Sequence, residues 1–305
     1  MSSPTIGEMV RRICSEYRVT SIPDSSRAWN GPQIISDLNR PCHLIVTATD
    51  ASLAVIEKSV ELGADILICH HGLTWTNGTI PLPFSDDIEA ARTRLAIENK
   101  LTIIGLHLPM DAHPSLGNNV IIANAIEADF QEYWFTTKGH PSPLFEGFIE
   151  SSDGALWPEI TVLEDGRKSI EIGIIARIKS ISRLEIKHKL QQFIGSEQTS
   201  DEKVRCFPED RDLQSNLVKT VAICTGAAGG AVFEAKNSGA DILISGEGPA
   251  HAAIHAHESG VGLLLGGHHA TETVGPKALA EWLNTISREN NLNFQSSFIS
   301  SPIGL

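Results

Sequence analysis

The residues in this chain best suited to chemistry are its histidines. It has 12, against 2 tyrosines, and most gather at four places: His70 and His71, His107 with His113, His251 with His255 and His257, and His268 with His269. Two of these places carry an acid four residues on, as His107 to Asp111 and His268 to Glu272. Successive side chains on a strand point to opposite faces, so an adjacent histidine pair at a strand end serves two neighbouring ions more readily than one. Asp111 and Glu272 can then bridge, each giving one oxygen to each ion. A mixed imidazole and carboxylate set around two ions about 3.5–4 Å apart is the pattern of dinuclear hydrolytic sites. Nitrogen and oxygen donors suit Zn, Fe, Mn or Co better than Mg or Ca. The expected cofactor is therefore a pair of divalent transition-metal ions per chain.

The remaining candidates play lesser parts. His113 and His269 neighbour the ligand segments and are expected as supporting or solvent-facing groups. His251 and His255 share a helix face at i, i+4. His251, nearer the preceding strand end, is the better candidate for an acid–base or anion-orienting group. Cys69 and Cys224 lie in apolar runs and are expected as buried packing residues. Gly226-Ala-Ala-Gly-Gly230 could hold a phosphate at a helix start. It lacks the GxGxxG spacing and the later acid of a dinucleotide site, and the chain has neither a P-loop nor a GxSxG motif.

Positioning these groups requires an alternation of strands and helices. His43–Thr49, Ile66–Cys69 and Leu101–Leu106 are expected as strands, with a helix over Leu53–Leu62. The same grammar returns as strands at Thr220–Cys224, Ile242–Ile244 and Gly262–Leu265, with helices ending near Ser238 and covering His251–Glu258. A last helix runs from about Pro276, a favoured first-turn residue, to Ile286. Between the two series, Ile170–Arg177 is expected as a strand, Leu184–Phe193 as a helix, and Ser151–Asp165 and Gly195–Lys203 as loops. Such alternation marks βαβ units, and ligands of open α/β sheets sit at the carboxyl ends of strands. The histidine clusters follow those ends.

An internal repeat underlies the pattern. Gly63-Ala-Asp-Ile-Leu-Ile68 recurs letter for letter as Gly239-Ala-Asp-Ile-Leu-Ile244. In each copy the next strand leads to a His-x-x-x-acid segment, His107 to Asp111 and His268 to Glu272. Internal duplication is the expected origin. It gives a first α/β half over 1–125 and a second over 126–305, with 216–305 carrying the repeat and the metal site between the halves.

Composition narrows the function classes. The chain has 305 residues and a formal charge of −13, which disfavours a nucleic-acid partner. It has no apolar run long enough for a membrane span and no cationic start leading into an apolar stretch. Five scattered cysteines without a CxxC suit a reducing compartment, so a cytoplasmic location is expected.

Several motifs together resemble one family. They are Cys69-His-His-Gly-Leu73, Leu106-His-Leu-Pro-Met-Asp-Ala112 followed by Gly117-Asn-Asn119, Cys224-Thr-Gly-Ala-Ala-Gly229, Gly246-Glu247 with His251, and Gly267-His-His-Ala-Thr-Glu272. The chain is similar to the NGG-interacting-factor-three-like dinuclear-metal proteins, some of which carry the name GTP cyclohydrolase 1 type 2. The resemblance spans about Asn30 to Pro302 and is weaker in the middle. It implies two intertwined, similar three-layer α/β/α domains with mixed sheets, often assembled as a homohexameric ring. It implies His70, His71, Asp111, His268 and Glu272 as metal ligands, with His107 adjacent as a supporting group or further ligand. Glu247 stands where the family usually has aspartate, and His269 where an aromatic is common.

The function expected is a metal-dependent hydrolase acting on a nucleotide, phosphoester or cyclic amide, with His251 and His269 as proton shuttles. The alternatives are a non-catalytic metal-binding, regulatory or metal-delivery assembly, and a protein-binding adaptor.

Overall fold

A computed structural model of the chain describes residues 2–73, 88–141, 155–199, 203–209 and 217–304. It is an α/β protein with two mixed sheets. The smaller sheet has five strands in the order Gln295–Phe298, Leu44–Asp50, Ile66–His71, Thr102–Gly105, Gly31–Ile34. The first four run parallel and the last antiparallel. The larger sheet has eight strands. Along it lie Pro23–Asp24, Ala128–Pro141, Lys168–Ser182, Leu217–Ile223, Ile242–Ser245, Gly262–Leu265 and Arg205–Phe207, and Thr161–Val162 adds beside Lys168–Ser182. Its parallel centre is Leu217–Ile223, Ile242–Ser245 and Gly262–Leu265.

The central strands are largely apolar where both faces are covered. Ile66 and Ile68 pack with Ile13 of helix Ile6–Glu16 and with Leu279 and Leu283 of helix Val274–Glu289. Leu67 and Cys69 face the other way, toward Val55 and Ile56 of helix Leu53–Glu61 and Ala96 of helix Ile88–Glu98. In the larger sheet Ile242 and Ile244 meet Ile186 and Leu190 of helix Arg183–Ile194. Leu243 meets Val232 and Ala235 of helix Val232–Asn237 and Ala252 and Ala256 of helix Ala250–Ser259. Each sheet is thus sandwiched between helices.

The two copies of the repeated hexapeptide occupy equivalent places. Gly63 and Gly239 end helices at φ +72° and +76°, where a Cβ is strained. Asp65 Oδ2 accepts the backbone N–H groups of His43 and Leu44, at 2.6 and 3.1 Å. Asp241 Oδ2 accepts those of Lys219 and Thr220, at 2.8 and 2.9 Å. Each aspartate ties the entry of its own strand to the start of the neighbouring one.

The chain crosses the division at residue 125 in both directions. Pro23–Asp24 pairs with Pro141 and His140 in the larger sheet. Helix Val274–Glu289 and strand Gln295–Phe298 belong to the smaller one. Several elements have no counterpart among the expected ones, among them helices Ile6–Glu16, Ile88–Glu98 and Asn118–Ala125, strands Gly31–Ile34 and Arg205–Phe207, the 14-residue strand Ala128–Pro141 and strand Gln295–Phe298. Of the two expected loops, residues 151–154 and 200–202 lie outside the described residues. The rest of the first contains strand Thr161–Val162, and the second opens with a 3-10 turn at Gly195–Glu197.

Candidate metal centre

Every group at the centre comes from the carboxyl end of a strand or the segment following it. Strand Ile66–His71 ends in His70 and His71, and strand Leu44–Asp50 ends in Asp50. His107 starts the short helix Leu108–Asp111, which follows strand Thr102–Gly105. Helix His268–Glu272 follows strand Gly262–Leu265. Parallel neighbours bring these ends together from both sheets.

Three groups of donor atoms result, each with all its atoms within 4.8 Å: His70 with Asp111 and Glu272, His71 with His268 and Glu272, and His70 with His71 and His107. Glu272 joins the first two. Its Oε1 lies 3.4 Å from His70 Nε2, and its Oε2 lies 3.2 Å from His71 Nε2 and 3.1 Å from His268 Nε2. The five residues expected as ligands are therefore assembled. Asp111 enters one of the three groups. Its Oδ1 accepts Asn118 Nδ2 at 2.8 Å and Thr225 Oγ1 at 3.3 Å, while Oδ2 stands 3.9 Å from His70 Nε2.

Each imidazole is oriented from behind. Because carboxylates and carbonyls only accept, the facing Nδ1 must donate. His70 Nδ1 donates to Leu106 O (3.1 Å), His71 Nδ1 to Asp50 Oδ1 (2.8 Å), His268 Nδ1 to Glu247 Oε1 (2.8 Å) and His107 Nδ1 to Asp24 Oδ2 (2.9 Å). Their Nε2 atoms are left for the centre, the arrangement that orients metal-ligating histidines. His107 thus belongs to the donor groups, and Glu247 stands behind His268, outside them. Sequence reasoning missed Asp24 and Asp50. Asp24 also accepts from Asn30 Nδ2 and the Leu108 N–H, and Asn30 Oδ1 accepts the His107 N–H.

Charge follows this geometry. Burial pulls the His70 pKa down, but the Glu272 and Asp111 carboxylates outweigh it and hold it up at about 9. His268 is likewise held up at about 9 against burial, by Glu272 and Glu247. Burial pushes Glu272 up, yet the neighbouring His70, His71 and His268 keep it well below the carboxylate range. Asp50 sits well below its ordinary value because its bonds to His269 and His71 overcome burial.

The imidazole and carboxylate donors form groups that could hold a metal ion. His70 Nε2 and Glu272 Oε2 are buried and meet only the charge contacts given above, none with hydrogen-bond geometry, an arrangement that is costly unless something else engages them. Gly226, at φ +67°, opens the space: a Cβ there would run into Glu272 Oε1 and stand 3.3 Å from His268 Nε2. The glycine turn weighed as a phosphate cradle therefore faces the centre. Among the described residues no cysteine enters these donor groups, and burial pushes the Cys69 and Cys224 thiols well up.

A cavity of about 200 Å³ adjoins the centre, lined by Asp50, His71, Glu247, His268, His269 and Ile303. His269 Nδ1 donates to Asp50 Oδ2 at 2.7 Å, and its Nε2 is buried without a partner among the described residues. His251 is not brought to this cavity. It is exposed at the start of helix Ala250–Ser259, with its ring 5.0 Å from that of His255. His113 neither supports a ligand nor faces solvent. It is buried between the Tyr17 and Trp157 rings, and its Nδ1 accepts the Ser115 and Leu116 N–H groups.

Comparison with known proteins agrees with this architecture. The family model described as Duf34/NIF3 (NGG1p interacting factor 3) matches residues 7–302. The chain is 29% identical over 287 residues to a Pasteurella multocida protein named GTP cyclohydrolase 1 type 2 homolog, covering 94% of this chain and 95% of that one. It is 30% identical over 257 residues to a Vibrio cholerae protein of the same name, covering 84% and 83%. It also resembles the solved structure of protein ybgI, of unknown function, with a TM-score of 0.74 and 25% identity, covering 99% of this chain and 100% of that one.

Proposed function

The chain belongs to the Duf34/NIF3 family, and we propose that it is a metal-dependent hydrolase built on a dinuclear centre of His70, His71, Asp111, His268 and Glu272, with His107 as a further donor. The observation that carries this reading is Glu272, whose two oxygens serve two separate donor groups. When bound, two divalent ions of Zn, Fe, Mn or Co supply Lewis acidity and acidified water at neutral pH.

The protein's own residues do the rest. Asp24, Asp50, Glu247 and the Leu106 carbonyl hold the imidazoles with Nε2 inward. Asn118 and Thr225 fix Asp111. His269, clamped at Nδ1 by Asp50, accepts or returns a proton at Nε2 on the wall of the cavity. His251, expected as a second shuttle, has no contact with the cavity, and proton transfer is assigned to His269 alone.

The substrate class is a nucleotide, phosphoester or cyclic amide. GTP belongs in the panel because of the names of the relatives. Among the described residues no helix is long and apolar enough to cross a membrane. The five cysteines are buried and form no disulfide, which suits the reducing cytoplasm. A homo-oligomer, a ring of six by resemblance, completes the proposal.

The test is turnover of that panel by zinc-, manganese- or iron-loaded protein. Hydrolysis that stops on chelation and returns with metal is expected. A second reading, a non-catalytic metal-binding, regulatory or delivery protein, is favoured by the burial of all three donors in the His70, Asp111 and Glu272 group. It expects metal uptake without turnover of any member of the panel.

A further inference from the structure

Asp50 closes strand Leu44–Asp50 in the smaller sheet and uses its two oxygens on histidines from different parts of the chain. Oδ1 accepts His71 Nδ1 at 2.8 Å, and Oδ2 accepts His269 Nδ1 at 2.7 Å. The two imidazoles differ in what their far nitrogens meet. His71 Nε2 faces Glu272 Oε2 at 3.2 Å inside the donor group, whereas His269 Nε2 is buried with no partner among the described residues. All three residues line the same cavity. A carboxylate has no proton to give, so both contacts oblige the histidine to donate from Nδ1. One side chain thereby selects the tautomer and ring orientation of a metal donor and of the neighbouring buried imidazole together.

We propose that Asp50 is a positioning residue that couples the metal centre to His269: through Oδ1 it presents His71 Nε2 to the ion, and through Oδ2 it presents His269 Nε2 to the cavity. The proposal rests on the metal-centre reading for its first half. It goes beyond that reading in giving one carboxylate control of both imidazoles. Asparagine at this position keeps the shape but offers a single acceptor oxygen, so it can satisfy only one of the two donors. The other imidazole must then turn or change tautomer.

The experiment uses the full chain, with Zn2+ alone as the probe and no substrate. Imidazole nitrogen NMR of the unaltered, zinc-loaded protein comes first. His71 and His269 are both expected with Nδ1 protonated, and a His269 protonated at Nε2 alone would overturn the proposal with no variant needed. Asp50→Asn is then compared with the unaltered chain by zinc competition against a chromophoric chelator and by the same spectra. The expected result is a 10- to 100-fold weaker affinity for one of the two ions, the usual effect of losing such a supporting group, with a changed nitrogen signature at His71 or His269. Unchanged zinc affinity together with unchanged signatures would overturn it. If the unaltered chain took up no zinc, the metal-centre reading would fail and the coupling with it. That outcome is distinguishable because it appears before any residue is replaced.

Discussion

Glu272 and His70 meet across the two halves of the chain, with Oε1 3.4 Å from Nε2, and both are buried. His70 belongs to the smaller sheet and Glu272 to a helix following a strand of the larger one. The contact places two ionisable groups where water cannot compensate them. Its cost is offset only if the groups are paired or engage an ion.

Replacing Glu272 with Gln keeps its volume and removes the charge shared by two donor groups. In the unaltered protein, zinc at about 100 times its dissociation constant should stabilise the fold by about 2.7 kcal/mol. In Glu272→Gln the metal-free unfolding midpoint should fall, because buried His70 and His268 lose the carboxylate that pairs them, and the zinc-dependent rise should disappear as well. Thermal unfolding with and without zinc checks it, and an undiminished rise would count against Glu272 as a ligand.

Metal uptake should release protons. His70 and His268 are held at about 9 in the metal-free protein, so both carry a proton at pH 7 and must lose it to bind an ion. Affinity should therefore climb as pH rises from 7 toward 9. Both folded-state values exceed the ordinary 6.5. Their contribution to metal-free stability is accordingly complete below about 6.5 and is lost as pH rises through about 9. Calorimetric zinc titrations in buffers of different ionisation enthalpy measure the release, and an apparent enthalpy independent of buffer would contradict it.

Gly226→Ala should damage the centre more than the fold. The backbone penalty at φ +67° is about 1–2 kcal/mol, but the new methyl group would displace Glu272 Oε1. Zinc stoichiometry should fall by at least one ion per chain while the circular dichroism spectrum is retained. Full zinc content in this variant would contradict the assignment of the turn to the metal site.

How far the site could be read in advance depends on the range of each interaction. The donors were legible because histidines and acids follow apolar strands at fixed offsets, and strand ends are where α/β proteins gather ligands. Asp24 and Asp50 were not, because they work through contacts spanning 83 and 219 residues, a separation that no local period encodes. His113 shares its residue type and neighbourhood with the ligands, and only packing against Tyr17 and Trp157 shows its structural part. Helix Ile6–Glu16 did leave a signal, the capping box of Thr5 and Glu8. Strand Gln295–Phe298 left little, since two of its four residues are serines and its place depends on pairing with Leu44–Asp50.

Asp65 and Asp241 offer a test of the repeat that is independent of metal. Each carboxylate accepts two backbone N–H groups, so Asp65→Ala and Asp241→Ala should each cost about 1–3 kcal/mol, through donors left without partners. Denaturant unfolding of the two variants measures this. A loss at one position and none at the other would mean that the copies no longer share a structural task.

Elemental analysis of the unaltered, chelator-free protein after incubation with Zn, Mn or Fe tests the central claim most directly. About two ions per chain, falling when His71 or Glu272 is replaced, is the result expected of a dinuclear centre. Metal content near zero, unchanged by any of the three metals, would contradict the centre and the hydrolase built on it.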